Sequence, residues 1–501
     1  MSSSTATAPH DGAISPGRYL ATRLSTLKPP MLTVPNPWRL LRSLNCTQWA
    51  FFLIAFSAWT WDSFDFFTVS LTVSDMAETF GRTKTDITWG ITVVLMFRSV
   101  GAIVFGLAGD RYGRKWPFII CNVLFIAFEL GTAFCKTYAQ FLACRALFGI
   151  SMGGLYGNAA ATALEDLPLE ARGLMSGILQ QGYALGYLLA AAFARGLVDT
   201  TPYTWRPLFW FGACPPLFII LLRLALPETQ AYRATAAAAA ARQATTTATT
   251  PRTSFFRQAK SALRRHWPLL LYLVLLMSAF NLVSHGSQDL YPLLLASDLS
   301  FTPSQVTTAQ VVANLGAMLG GTTVGFLSQS LGRRLSILAM CVCGGALVYP
   351  YTLVSPPAAV MAAAFFEQFC VQGAWGVVPI HLMELSPGQF RTFVVGTSYQ
   401  LGNLVASASS TIESRIGERF PLPPAPGGGG EPRYQYGKVM CIFMGCAYAC
   451  VVVLTLLGPE SLQRSFEEPG QEVEGAEVWE ATPGRTRDKD VEGGTAVGVE
   501  T

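Results

Sequence analysis

The sequence predicts an all-α membrane protein with twelve transmembrane helices in two six-helix repeats. Three observations predict it. The first is composition: of 501 residues, 51% are hydrophobic and 13% charged, about half the charged share of a soluble domain. A soluble chain of this size needs more polar surface than that, which excludes a large soluble enzyme, a disordered scaffold and a nucleic-acid-binding protein. The second is a series of apolar runs long enough to cross a bilayer, which takes about 20 residues per helix. The third is that the two halves of the chain match at one fixed offset.

The elements follow in order. Residues 1–45 form an N-terminal tail. Its first 35 residues are rich in Ser, Thr, Ala and Pro, with no apolar block of signal-peptide length, so targeting falls to the first spanning helix. Apolar runs near 48–73, 87–108, 116–135, 139–161, 174–198 and 206–226 make 46–226 an N-terminal six-helix bundle. A polar linker, 227–266, holds an Ala/Thr-rich stretch and a basic run from Arg252 to Arg265. Runs near 267–294, 306–328, 335–354, 357–382, 392–412 and 438–457 make 267–457 the second bundle. The segment 458–501 is acidic, with eleven Asp/Glu against four Lys/Arg after Pro459, and is expected to be disordered. The Gly-rich run 427–430 follows no strand and is no phosphate cradle. Eleven scattered cysteines suggest neither a metal site nor a disulfide framework, so no cofactor or metal is expected.

Basic residues concentrate on alternate loops. Arg18, Arg23, Lys28, Arg39 and Arg42 precede the first helix; Arg111, Arg114 and Lys115 follow the second; seven Lys/Arg lie in the linker; Arg333 and Arg334 follow the eighth. With twelve spans all fall on one side. Both termini are therefore expected in the cytoplasm, in a multi-pass protein of the cell membrane that acts as a monomer.

The repeat is explicit. The segment from Gly106 through Gly113, Arg114 and Lys115 matches Gly325 through Gly332, Arg333 and Arg334, a shift of 219 (325 − 106). At the same shift Gly154, Gly157, Glu165, Pro168, Arg172, Gly177 and Gln181 match Gly373, Gly376, Glu384, Pro387, Arg391, Gly396 and Gln400. Six-helix halves related by an axis along the membrane normal are one architecture of secondary transport.

Candidate functional residues are polar groups inside these spans. Asn281, Ser284, His285, Gln288 and Asp289 fall at i, i+3, i+4, i+7 and i+8, one stripe of a helix. A charge at the bilayer centre costs about 2.5 kcal/mol or more, so the stripe faces a wet seam or a partner helix. His285 and Asp289 are one turn apart, and histidine gains and loses its proton near physiological pH. The pair can serve as a proton relay, or as a polar contact between helices. Arg98 falls near mid-membrane and offers a planar fork suited to a carboxylate. It is a substrate anchor, or an ion-pair partner of Asp62 or Asp65 in the first helix. Gln400 and Asn403 can hydrogen-bond a hydroxyl or keto oxygen without changing the site's charge. Asp110, Arg111, Arg114, Glu165 and Arg172 are expected to make gating contacts at the cytoplasmic side. Arg145 is assigned with them, partly structural. Glu129, Glu367 and His381 are expected to be structural or peripheral.

The loop Gly106-x-x-x-Asp110-Arg111-x-Gly113-Arg114-Lys115, its second copy, and Arg145 with Gly149, Gly153 and Gly154 resemble the major facilitator superfamily. This resemblance implies its twelve-helix fold. Asn281-Leu-Val-Ser284-His285-Gly-Ser287-Gln288-Asp289-Leu-Tyr-Pro-Leu293 resembles the N-x-x-[S/T]-H-x-[S/T]-Q-D-x-x-x-T motif of fungal monocarboxylate/proton symporters, the Jen-type lactate and pyruvate permeases grouped with the sialate/proton symporters. Leu293 stands where that family has Thr. Gln400 and Asn403 also resemble family positions linked to substrate handling. The resemblance implies a proton-coupled transporter of short-chain monocarboxylates, whose partners are a small carboxylate, protons and the bilayer. In that scheme Arg98, Asn281, Ser284, Gln400 and Asn403 bind substrate, and His285 and Asp289 couple it to protons. The alternatives are an efflux transporter of a larger carboxylated metabolite and a non-transporting carboxylate receptor.

Overall fold

The computed structural model describes residues 16–27, 33, 36–198, 200–245, 255–417, 419–422, 433–462, 464 and 466. The acidic tail past 466, the glycine run 427–430 and Arg252 lie outside them. Twelve long helical segments carry the described fold. They are α1 (Cys46–Leu71), α2 (Lys84–Tyr112), α3 (Lys115–Ala133), α4 (Tyr138–Gly153, continued by Leu155–Leu164), α5 (Arg172–Gln180, continued by Gly182–Leu197) and α6 (Arg206–Ala225) in the first half. The second half holds α7 (Phe255–Gln288), α8 (Pro303–Leu331), α9 (Arg333–Leu353), α10 (Pro357–Leu385), α11 (Arg391–Ala406) and α12 (Tyr436–Leu457).

Seven of these are long and apolar enough on their own to cross a membrane. The other five differ for a visible reason. Turns at Gly154 and Gln181 interrupt α4 and α5, α11 has only 16 residues, and α1 and α10 bury Asp62, Asp65, Gln368 and Gln372. Among the described residues the only pairing of strands is a short antiparallel one, Pro421–Leu422 with Arg433–Tyr434.

The repeat governs where helices start and stop. A capping box of Thr83 and Asp86 opens α2, and Thr302 with Gln305 opens α8 at the same shift. Each box satisfies backbone N–H groups that have no partner inside the helix. Both helices end at a glycine with positive φ, Gly113 (96°) and Gly332 (93°), a conformation that disfavours any side chain. The two halves meet where α2 packs on α11 and α5 on α8. These crossings are close: a Cβ on Gly325 would stand 2.7 Å from Gly177 Cα, and one on Gly106 would stand 2.7 Å from Phe393 Cα. Small residues permit such backbone approach between membrane helices.

The linker is more ordered than its polarity suggests. Gln230–Thr245 is helical, and α7 begins at Phe255 rather than near 267. Its basic first turns run into the spanning part through a kink at His266 (φ −106°, ψ 15°), two residues before Pro268, whose ring cannot join the regular hydrogen-bond ladder.

Candidate functional site

The structure places two polar pairs from opposite halves along the seam between the bundles, an arginine–carboxylate ion pair and a histidine–carboxylate contact. In the first half, Arg98 Nη2 of α2 donates to Asp62 Oδ2 of α1 at 3.1 Å, with both side chains buried (2% and 0% exposed). The guanidinium lies over the Phe66 ring at 5.8 Å. Arg98 Nε and Asp62 Oδ1 have no partner among the described residues, so one donor of the fork is unused. In the second half, His285 Nδ1 stands 3.0 Å from Asp289 Oδ2, as the one-turn spacing predicts, with the two side chains 14% and 35% exposed. His285 Nε2 faces Asn403 Oδ1 at 3.4 Å, and Asn403 Nδ2 donates to Gln400 Oε1 at 3.3 Å. Both ring nitrogens thus face acceptor oxygens, and the doubly protonated ring donates at each. Tyr183 of the first half and Tyr399 of the second both pack on Trp59.

The rest of the α7 stripe divides. Asn281 is buried and donates back to the Met277 carbonyl at 2.8 Å. Gln288 donates across to Gln368 of α10 at 3.0 Å. Ser284 is half-buried between them. Leu293, where the symporter motif has Thr, lies past the end of α7 and is exposed. Asp65 is fully buried, with neither oxygen partnered among the described residues. Arg145 pairs with Glu129 at 3.3 Å, both fully buried, and lies 4.2 Å over the Phe148 ring. Glu129 is thus an internal counter-ion rather than a peripheral group. Glu367 accepts from Tyr448 at 2.7 Å, and His381 is buried in α10.

Five aromatic side chains contributed by both halves pack into one layer, and sequence reasoning missed them. Tyr156 of α4 stacks on Tyr399 of α11 with centroids 4.0 Å apart. Trp59 of α1 contacts Tyr156, Tyr183 and Tyr399, and Trp375 of α10 meets Tyr399 edge-on. The indole nitrogens of Trp59 and Trp375 and the Tyr156 hydroxyl are buried without partners among the described residues. One signal was available: Tyr156 and Trp375 are 219 apart, so the repeat puts an aromatic at the same place in each half.

At the linker end the halves are stapled together. Arg114 pairs with Asp110 and Glu165, each at 2.9 Å, and Arg391 of the other half reaches Glu165 at 3.2 Å. Asp110 accepts the Thr392 and Phe393 backbone N–H groups at the start of α11, where a helix N-terminus favours negative charge. Burial pushes the Glu165 carboxyl up, but Arg114 and Arg391 outweigh it and hold it below its usual range. The second copy repeats the grip: Arg333 binds Glu384 through two 3.0 Å bonds, and Gln329, the counterpart of Asp110, donates across to the Leu169 carbonyl. Arg172 donates to the Arg464 carbonyl at 2.9 Å. Phe466 is buried between the guanidiniums of Arg172 (3.8 Å) and Arg391 (4.1 Å). Arg111 lies over Tyr112, Phe255 and Phe256.

This arrangement, sealed at one end and polar in the middle, is accompanied by a family match. Residues 41–472 match the model of the sugar (and other) transporter family. The chain belongs to that family, within the major facilitator superfamily. It is therefore an integral membrane transporter and not an enzyme. This family member is 38% identical over 442 residues to a carboxylic acid transporter protein homolog of Saccharomyces cerevisiae, covering 87% of this chain and 72% of the relative. It is 25% identical to the cis,cis-muconate transport protein of Acinetobacter baylyi, over 72% of this chain and 86% of that one. Its fold is that of the proton:xylose symporter XylE, with a TM-score of 0.66 at 16% identity, over 84% of this chain and 98% of that chain.

Proposed function

We propose that the protein is a proton-coupled symporter of short-chain monocarboxylates such as lactate or pyruvate in the plasma membrane, with its linker end and both termini in the cytoplasm. The observation that carries this reading is the pairing of His285 with Asp289 and Asn403 in the second half, with the buried Arg98–Asp62 pair in the first. The similarity to a carboxylic acid transporter homolog supports the carboxylate class.

The physical chemistry is consistent with the reading. An acid with a pKa near 3.5 is almost wholly anionic at neutral pH and crosses lipid poorly. Its carboxylate accepts a hydrogen bond from the unpaired Nε of Arg98, a charge-assisted bond. Arg98 and Asp62 neutralise each other, so an incoming anion adds uncompensated charge to a desolvated site. Protonation of His285 beside Asp289 returns the net charge of the site to its value before the anion entered, and this links anion and proton. One proton with one monoanion is electroneutral, so transport follows the pH gradient without opposing the membrane potential. Gln400 and Asn403 bind the hydroxyl or keto oxygen, with Asn281 and Ser284 completing the polar wall. The halves then rock: the linker-end staples part, the cytoplasm takes the proton, and the anion leaves.

A second reading rests on the aromatic layer. Trp59, Tyr156, Tyr183, Trp375 and Tyr399 offer flat apolar surface next to the polar groups, which suits a larger or unsaturated carboxylate, and the similarity to a cis,cis-muconate transport protein favours it. Purified protein in vesicles with an imposed pH step decides between the two. Lactate uptake that rises as the outer pH falls supports the first. Uptake of muconate or an aryl acid without lactate uptake supports the second, and binding without transport of any acid rejects both.

A further inference from the structure

At the end of the first bundle away from the linker, two cysteines meet. Helix α3 starts at the linker end, where Lys115 Nζ donates to the Leu224 and Leu226 carbonyls, and runs to Ala133 at the opposite end. Cys135 lies in the short turn that follows, and Cys144 lies in the second turn of α4. Their sulfurs are 3.7 Å apart, in contact. Cys135 is held by three bonds. Its backbone N–H donates to the Thr132 carbonyl at 3.2 Å, its thiol donates to the Gly131 carbonyl at 3.2 Å, and its own carbonyl accepts from Arg206 Nη2 of α6 at 3.1 Å. Gly131 leaves room for the second sulfur: a Cβ there would stand 3.3 Å from Cys144 Sγ. Cys135 is buried and Cys144 half-buried. At the repeat shift of 219 they become Val354 and Ala363, so the matching α9–α10 hairpin is built without either sulfur.

We propose that Cys135 and Cys144 form a disulfide that closes the α3–α4 hairpin, with a small disulfide such as oxidised glutathione as the oxidant. Cys144 is the more accessible thiol and reacts first. Its thiolate attacks one sulfur of the reagent, the reagent's S–S bond breaks, and one reagent thiolate leaves. Burial pushes the Cys135 thiol up, so Cys135 takes the second step. It attacks Cys144 Sγ of the mixed disulfide, the protein's S–S bond forms, and the second reagent thiolate leaves. The protein loses two electrons and two protons, and the reagent departs as two thiols. The position gives the bond a consequence. Cys144 precedes Arg145, whose guanidinium pairs with Glu129 of α3 across the same hairpin. The bond ties α3 to α4 beside that buried pair, so the two helices move as one body when the halves rock. That the hairpin faces an oxidising compartment rests on the orientation proposed above, whereas the chemistry of the pair does not.

The test equilibrates the purified full-length protein with oxidised and reduced glutathione at the poise of a secretory compartment, blocks free thiols and maps the peptides. Cys135 and Cys144 are expected to be recovered joined and lighter by two hydrogens. The oxidised protein is expected to melt at a higher temperature than the reduced one, a shift lost in C135S and in C144S. Recovery of both as blocked free thiols overturns the proposal and makes the contact the packing of two small side chains. Glutathione left on Cys144 overturns it as well, because Cys135 then fails to reach the mixed disulfide. Both outcomes are read on the unaltered protein. The orientation is read separately, by antibody access to an N-terminal tag on intact cells. An accessible tag rejects a cytoplasmic linker end and leaves the glutathione result standing.

Discussion

At the linker end the two halves are near copies. Arg114 grips Glu165 in one, and Arg333 grips Glu384 in the other. Arg172 and Arg391 flank the same phenylalanine. In the seam the same shift returns different residues: Asp62 becomes Asn281, Asp65 becomes Ser284, Phe66 becomes His285 and Arg98 becomes Ala317. The difference teaches a division of labour. Joints that both halves must open and close stay duplicated, whereas the charges of the seam are unshared. The first half holds a permanently charged arginine with its counter-ion. The second holds the histidine, the one side chain there suited to change charge near neutral pH.

The largest expected effect falls on that histidine. His285→Ala is expected to abolish accumulation driven by a pH gradient while leaving downhill exchange of substrate. Labelled uptake in vesicles with and without the gradient measures it, and undiminished uphill uptake would mean that the halves do not divide the chemistry in this way.

Next in size are the duplicated staples. Breaking a buried pair by removing one partner costs about 3–5 kcal/mol. Glu165→Gln is expected to unseal the linker end more than Glu384→Gln, because Glu165 joins Arg114 to an arginine of the other half. Cysteine labelling at that end reads the difference, and equal labelling would show the copies to be equivalent. The pH sign follows from the geometry. The Glu165 carboxyl titrates below its usual range, so its contribution is complete above about pH 4.3 and fades only as pH falls further. Mild acidification that drives uptake leaves this staple intact.

Much of this was legible in the sequence, and what was not has a physical cause. The apolar runs mark the spanning helices, and one fixed offset in the sequence pairs Glu165 with Glu384. The contact of His285 with Asp289 lies within one helix, where spacing fixes distance. The Arg98–Asp62 pair was one of two partners open to Arg98, because spacing along α1 leaves Asp62 and Asp65 nearly equivalent. The aromatic layer was illegible: its five rings come from α1, α4, α5, α10 and α11, and periodicity reports which face a residue occupies, not what that face meets. The start of α7 was misplaced because Arg257, Lys260 and Arg264 make a helical segment look like linker. Glu129 meets Arg145 only across the α3–α4 hairpin, and Phe466 meets its two arginines only through the closed end.

A smaller effect is expected in the first half. Arg98→Lys keeps the charge next to Asp62 but replaces a planar fork by a point charge. Losing one charge-assisted hydrogen bond costs about 1.5–3 kcal/mol, so substrate affinity is expected to fall about tenfold or more with proton coupling retained. An unchanged affinity would reduce Arg98 to a structural partner of Asp62 and take substrate binding away from the first half.

The smallest effect tests a place where the seam keeps an aromatic ring in both copies. Tyr156 and Trp375 occupy matching positions, and both bury a polar atom without a partner among the described residues. Their rings both touch Tyr399, one stacked and one edge-on. If the layer acts through its flat surfaces, the Tyr156 hydroxyl contributes little. Leaving it buried and unpaired is itself unfavourable by about 1–3 kcal/mol. Tyr156→Phe is therefore expected to raise thermal stability slightly and to leave transport of a small acid within about twofold, whereas Tyr156→Ala removes the stack on Tyr399 and lowers both. A clear loss of affinity in Tyr156→Phe for one acid alone would assign the hydroxyl to that acid's oxygen. The aromatic layer would then be unshared chemistry like the charges above it, and not a duplicated joint.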